Sequence, residues 1–170
     1  MGELANFPLF VPKPPLAVTV TSWNQLNSLN RKVSEITIPS NSLNDAYLNV
    51  LDLSRFKRLK KLVIGDGCFM YVNETRLTGL YYLESVEIGM NSFTKNKNWY
   101  GNNPNRHFYL KNCPKLKSLK MGRYSFSDYS VIEIENVDAL EVIEMGDLNE
   151  GSLNFAYASL ELKSILIHSQ

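Results

Sequence analysis

No run of eighteen apolar residues occurs in this chain, so no stretch reads as a membrane-spanning helix and no membrane span is expected. The amino terminus lacks the basic flank and apolar core of a secretory leader, which makes a soluble protein, with the cytoplasm as the favoured setting, the expectation. Histidine and cysteine are scarce: His107, His168, Cys68 and Cys113 lie far apart, with no metal-ligand spacing. The formal net charge is only +1, which argues against binding dominated by a nucleic-acid backbone, so no nucleic acid is expected as a partner. There is no glycine-rich phosphate loop, nucleophile elbow or zinc-binding pair. A hydrolase built from Asp52, Glu87 or Glu133 with a distant His107 is not requested by any spacing. The chain therefore reads as non-catalytic, with no cofactor and no metal.

What the chain has instead is self-similarity. Leu110 to Phe126, LKNCPKLKSLKMGRYSF, places apolar residues at Leu110, Cys113, Leu116, Leu119, Met121 and Phe126, with Gly122 after the last strand-like pair. The same frame returns at Leu53, Phe56, Leu59, Leu62, Ile64, Gly65 and Phe69, and again at Leu77, Leu80, Leu83, Val86, Ile88, Gly89 and Phe93. It returns once more at Ile134, Val137, Leu140, Ile143, Met145 and Gly146, although Glu150 then stands where a Phe is expected. A weaker unit opens the array at Val33, Ile36, Ile38 and Leu43, with Pro39 in the glycine slot, and another closes it at Leu162, Ile165 and Ile167. The first apolar residues fall at 33, 59, 83, 116, 140 and 162, in steps of 26, 24, 33, 24 and 22. A period of this size marks a solenoid, whose units bury their apolar faces only against one another.

Within each unit the L-x-L pair lies on one face of a strand, because side chains alternate with period two. Leu119 and Met121 then point inward and Lys120 outward. The following glycine suits a strand end where the backbone turns away with positive φ. A second alternating run, such as Ile132-Glu133-Ile134, gives each coil up to two short strands. The fold class expected is therefore mainly β: about six short units with little helix.

These motifs resemble leucine-rich repeats, in particular the irregular type of the bacterial BspA surface proteins; LKSLKMGRYSF and LESVEIGMNSF carry the resemblance, which covers about residues 33 to 167. It departs from commoner leucine-rich repeats, since no asparagine follows the strand at the usual ladder position. The resemblance implies a curved, right-handed coil that binds other molecules, usually proteins, through its exposed strands, and no catalytic residues.

Residues 1–16 are proline-rich and read as a tail, either solvated or laid along the first coil. Residues 17–170 read as one solenoid. Its cap, 17–32, contains a capping-box pattern at Ser22 and Gln25, followed by Trp23, Leu26 and Leu29 at helical spacing. Trp23 belongs in that cap's core. Arg55, Lys57, Arg58, Lys60 and Lys61 are either an anion patch or the solvated positions between the inward Phe56, Leu59 and Leu62; the second reading is preferred. Glu133 to Glu150 is acidic, and opposed patches of this kind either join copies or serve solubility.

The long step carries an insertion, 94–107, polar and rich in turn formers, with Trp99 and Tyr100 at its centre and Arg106 near its end. Loops on rigid scaffolds carry recognition, and exposed aromatics beside cations are favoured in binding hot spots; Trp99 folding back as a staple is the competing reading. The candidate partner-binding residues are thus Trp99, Tyr100 and Arg106, with Val63, Glu87, Lys120 and Glu144 outward on the first strand row and Tyr109 on the second. Asp52 and Arg76 are expected as a cross-strand pair. Before the last unit, either Asn154 and Ala156 or Phe155 and Tyr157 face inward, the aromatics being preferred. The last strand, expected at Leu162 to Ile167, leaves Leu160 and Leu166 exposed as candidate self-association residues, through which the chain forms a homodimer or continues a longer array. The function expected is a non-catalytic module binding a protein or glycan; the alternative is a self-assembling structural protein.

Overall fold

From β2 onward, successive strands of the chain fall alternately in two parallel sheets. The computed structural model describes residues 16–95, 106–146, 151–156 and 158–164. In chain order these form β1 (Ala17–Thr19), α1 (Trp23–Ser28), β2 (Glu35–Ile38), β3 (Val50–Asp52), β4 (Lys61–Ile64), β5 (Glu74–Thr78), β6 (Ser85–Ile88), β7 (His107–Lys111), β8 (Ser118–Met121), β9 (Val131–Glu135), β10 (Val142–Met145) and β11 (Ser159–Lys163). One sheet has the order β1-β2-β4-β6-β8-β10, the other β11-β9-β7-β5-β3. Neighbouring parallel strands need a crossover between them, and here each crossover from β2 onward passes through a strand of the opposite sheet. The protein is mainly β, with almost no helix.

The register places like on like. In the first sheet Ile36, Leu62, Val86, Leu119 and Ile143 pair in one column, and Ile38, Ile64, Ile88, Met121 and Met145 in another. In the second, Leu77, Leu110, Ile134 and Leu162 pair in turn. Inward residues are buried through Met121 and Ile134, whereas Ile143, Met145, Leu160 and Leu162 of β10 and β11 are exposed.

The glycines after the strands are required for a reason other than the one expected. Gly65, Gly89 and Gly122 do not have positive φ. A Cβ on Gly89 would instead meet Asp66 N and Gly65 C at 2.6 Å, and one on Gly122 would meet Met90 N at 2.5 Å. Stacked backbones approach too closely there for any side chain. Gly146 alone of this series is left-handed, with φ +67°.

Positive φ falls two and four residues further on, at non-glycine positions: Asn41 and Leu43, Asn91 and Phe93, Tyr124 and Phe126. Asn tolerates this region, whereas a bulky L-residue there is strained by about 1–2 kcal/mol; at Phe93 and Phe126 burial of the ring offsets it. The conformation turns the rings inward into one stack, Phe69 to Phe93 at 5.0 Å, Phe93 to Phe126 at 4.5 Å and Phe126 to Phe155 at 4.9 Å between centroids. The residue before each Phe is small and polar because it bonds the preceding rung: Ser92 Oγ donates to Gly65 O at 2.8 Å, Cys68 Sγ to Pro39 O at 3.1 Å and Asn154 Nδ2 to Gly122 O at 2.7 Å.

The carboxyl-terminal register differs from the expectation. β11 pairs with β9, with Leu162 opposite Ile134, so Leu162 belongs to the second strand row and does not begin a first-row strand. The extra residues lie between Gly146 and Phe155, which takes the ring position that Glu150 left vacant in the sequence frame. Phe155 is therefore inward, as preferred, but Asn154 is buried beside it. Leu166 and Tyr157, like the tail at 1–15, lie outside the described residues.

At the other end α1 buries Leu26 in the core, with Trp23 and Leu29 packed against it. Ser22 caps the helix by accepting from Gln25 N, and Arg55 donates to the carbonyl of Asn27 at its last turn.

Candidate functional site

The outward residues of the first sheet form a row fixed by the backbone register: Thr37, Val63, Glu87, Lys120 and Glu144 pair successively. Val63, Glu87, Lys120 and Glu144 are thus brought together. Lys120 Nζ lies 3.4 Å from Glu144, an exposed pair, and exposed pairs of this kind contribute little to stability.

On the second sheet Tyr109 sits between Arg76 and Glu133 in the same way. Its hydroxyl bonds His107 Nδ1 at 2.8 Å, and burial, then the carboxylates of Glu133 and Glu74, pushes its phenol above the usual range. Lys111 Nζ lies 2.6 Å from Glu133 and 3.6 Å from Glu135, neutralising part of the acidic segment. Arg76 reaches Asp52 at 3.7 Å, the cross-strand pair expected, and also bonds Glu74. Burial pushes the Asp52 carboxyl up, but hydrogen bonds from Ser54 and the Arg76 charge outweigh it, and the net displacement is downward.

Arg106 is a correction. Expected on the loop surface, it is fully buried. Its guanidinium pairs with Asp128 and donates to Met70 O at 2.9 Å and Val72 O at 2.8 Å, above the ring of Tyr129 at 4.9 Å. The physical reason is the carboxylate: a buried cation needs a charged and hydrogen-bonded partner. Tyr129 in turn donates to Val72 O at 2.7 Å and bonds Thr75 Oγ1 at 3.1 Å.

Asp128 also accepts from Lys95 N at 3.1 Å. Both stems of the insertion are therefore fastened to one carboxylate, and Thr94 Oγ1 meets Ser127 Oγ at 2.8 Å beside it. Trp99 and Tyr100, the insertion's aromatic centre, lie outside the described residues. The sequence reading missed Asp128 and Tyr129; the available signal was an Asp-Tyr pair following the Phe slot at Phe126, where the chain passes the foot of the insertion.

The two cysteines are free and buried in separate places. Burial pushes both thiols up, Cys113 to about 11. Among the described residues no three His, Cys, Asp or Glu side chains converge to hold a metal ion, and no helix is long and apolar enough to cross a membrane. Among the described residues, cavities of about 260 Å³ open against Trp23, Val50 and Arg55 and against Ile134, Val137 and Leu162. Compared with models of known protein families, with curated proteins and with solved structures, the chain matches none.

Proposed function

We propose that the chain is a single leucine-rich-repeat solenoid of the BspA-like type, spanning 17–170 with 17–32 at its first end, and that it acts as a non-catalytic interaction module. Strands that alternate between two sheets, with like residues stacked in columns, support the solenoid. The observation that carries the function is the outward row Val63, Glu87, Lys120 and Glu144: one apolar and three charged side chains held in fixed register on one sheet. The insertion fastened at both stems by Asp128 supports a second contact, centred on Trp99 and Tyr100, for the same protein or glycan partner.

Affinity capture with chemical cross-linking, comparing the native chain with W99A/Y100A and with E87K/K120E, tests the proposal. Loss of the same captured partner from both variants is the expected outcome. Capture that persists undiminished in both would contradict it.

A second reading rests on the apolar side chains that β10 and β11 leave exposed. Ile143, Met145, Leu160 and Leu162 are about half exposed, and a copy of the chain placed against them would bury them. In that reading the protein assembles with itself, and L160E/L162E would keep it monomeric.

A further inference from the structure

The turns leading into β2, β4, β6, β8 and β10 are each closed by a backbone hydrogen bond across three residues: Val33 N to Asn30 O, Leu59 N to Phe56 O, Leu83 N to Leu80 O, Leu116 N to Cys113 O and Leu140 N to Val137 O. The turns stack, so the third residues of the first four make a column of Lys32, Arg58, Tyr82 and Lys115, all exposed. The residues just after the turns make a second column whose order is fixed by the ladder Glu84 N to Lys60 O, Lys117 N to Glu84 O and Glu141 N to Lys117 O. This edge therefore gathers Lys32, Arg58, Lys60, Lys115 and Lys117 against the single carboxylate of Glu84, which lies between Lys60 and Lys117, although the whole chain carries only +1.

The tyrosines organise the cations. Arg58 lies 5.4 Å and Lys115 4.7 Å over the ring of Tyr82, one from the turn before and one from the turn after, and Lys57 lies 5.9 Å over Tyr81. Cations so placed are held by the ring quadrupole; among the described residues Arg58 and Lys115 form no ion pair, whereas Lys57 Nζ donates to Gly79 O at 3.1 Å. With Arg58 and Lys115 both lying against it, the Tyr82 ring is a poor platform for stacking bases, on which single-strand nucleic-acid binders rely.

The strip is short. From Lys32 to Lys115 is three strand spacings, about 14 Å, or roughly four extended residues. Beyond Lys117 the next turn carries no cation: Ala139 follows Lys115 and Glu141 follows Lys117 in the two columns, with Asp138 beside them, and these carboxylates repel a long polyanion laid along the edge.

We infer that this basic edge docks a short, extended acidic segment of a partner protein, with Arg58, Lys60, Lys115 and Lys117 contacting carboxylates. The inference rests on the interaction-module reading and names the chemistry of its partner.

Fluorescence anisotropy of a labelled hexaglutamate peptide titrated with the full chain tests it. Binding at low salt that weakens steeply as salt is raised is expected. The triple reversal R58E/K60E/K115E should weaken it by about tenfold or more, while K163E on the far sheet leaves it unchanged. Y82L keeps every charge and should cost a few-fold through loss of the ring between the cations; equal binding would overturn the role given to Tyr82. Absence of peptide binding would overturn the inference, as would tighter binding of a single-stranded oligonucleotide or sulfated polysaccharide of equal charge. Salt-sensitive self-association abolished by the triple reversal would also overturn it, making Asp138 and Glu141 of a second copy the occupant. Capture through the Trp99 insertion is read independently, so peptide binding without that capture leaves the strip standing and removes the insertion and the outward row as the contact; the converse removes the strip alone.

Discussion

Gly89 and Gly122 are fixed by the backbone lying on the rung beneath them. Replacing either by Ala drives a Cβ to within 2.6 Å of main-chain atoms that cannot swing aside, and overpacking of this kind costs roughly 1–3 kcal/mol. Gly151, with nothing within 4 Å of its virtual Cβ, is the control: G151A should leave the urea midpoint unchanged while G89A and G122A lower it. The buried pair offers a second residue-scale prediction. R106L or D128L strands a charge in the core and should cost about 3–5 kcal/mol, and the double variant should recover part of that loss in a double-mutant cycle. The thiols give a third. Because burial raises the Cys113 thiol to about 11, the protonated form prevails at every lower pH, with a thiolate fraction of about one in a hundred at pH 9. Native chain should therefore resist iodoacetamide at pH 8 to 9 and both cysteines should react only after unfolding; rapid native labelling would contradict the packing described for Cys68 and Cys113.

At the scale of the element, the stacked rings make Phe126 the most connected aromatic among the described residues. It stacks on Phe93 and Phe155 and meets Phe108 and Tyr129 edge-on. F126A should cost about 3–5 kcal/mol and L119A about 2–5, both read from denaturant unfolding. The strands were legible because Leu119-Lys120-Met121 and its equivalents alternate with period two and recur in phase, a signal that depends on side-chain polarity alone. The glycine mechanism was not legible, since a close backbone approach and a positive φ demand the same residue. Nor was the left-handed turn, because Phe93 and Phe126 adopt a conformation that local preference disfavours and that only the ring stack stabilises. The final register was misread for a related reason: Leu162 fits either strand row, and only the position of Phe155 against Phe126 decides between them. Of the site, the outward row was readable from alternation, whereas the burial of Arg106 depends on Asp128, twenty-two positions away, which no local pattern announces.

At the scale of the molecule, two sheets share one core, and each strand pair rests on the next. In the solenoid proposed above, cohesion would be nearest-neighbour, and the exposed apolar side chains of β10 and β11 would be where the array meets its surroundings. In the leading proposal the outward row, the insertion and the basic edge engage other molecules, and copies of the chain do not associate through β10 and β11. The measurement that tests this most directly is the solution mass by light scattering across a range of protein concentration and salt. The account predicts the mass of one chain throughout. A concentration-dependent dimer would contradict it: insensitivity to salt would assign the contact to Ile143, Leu160 and Leu162, and sensitivity to salt would assign it to the basic and acidic turns.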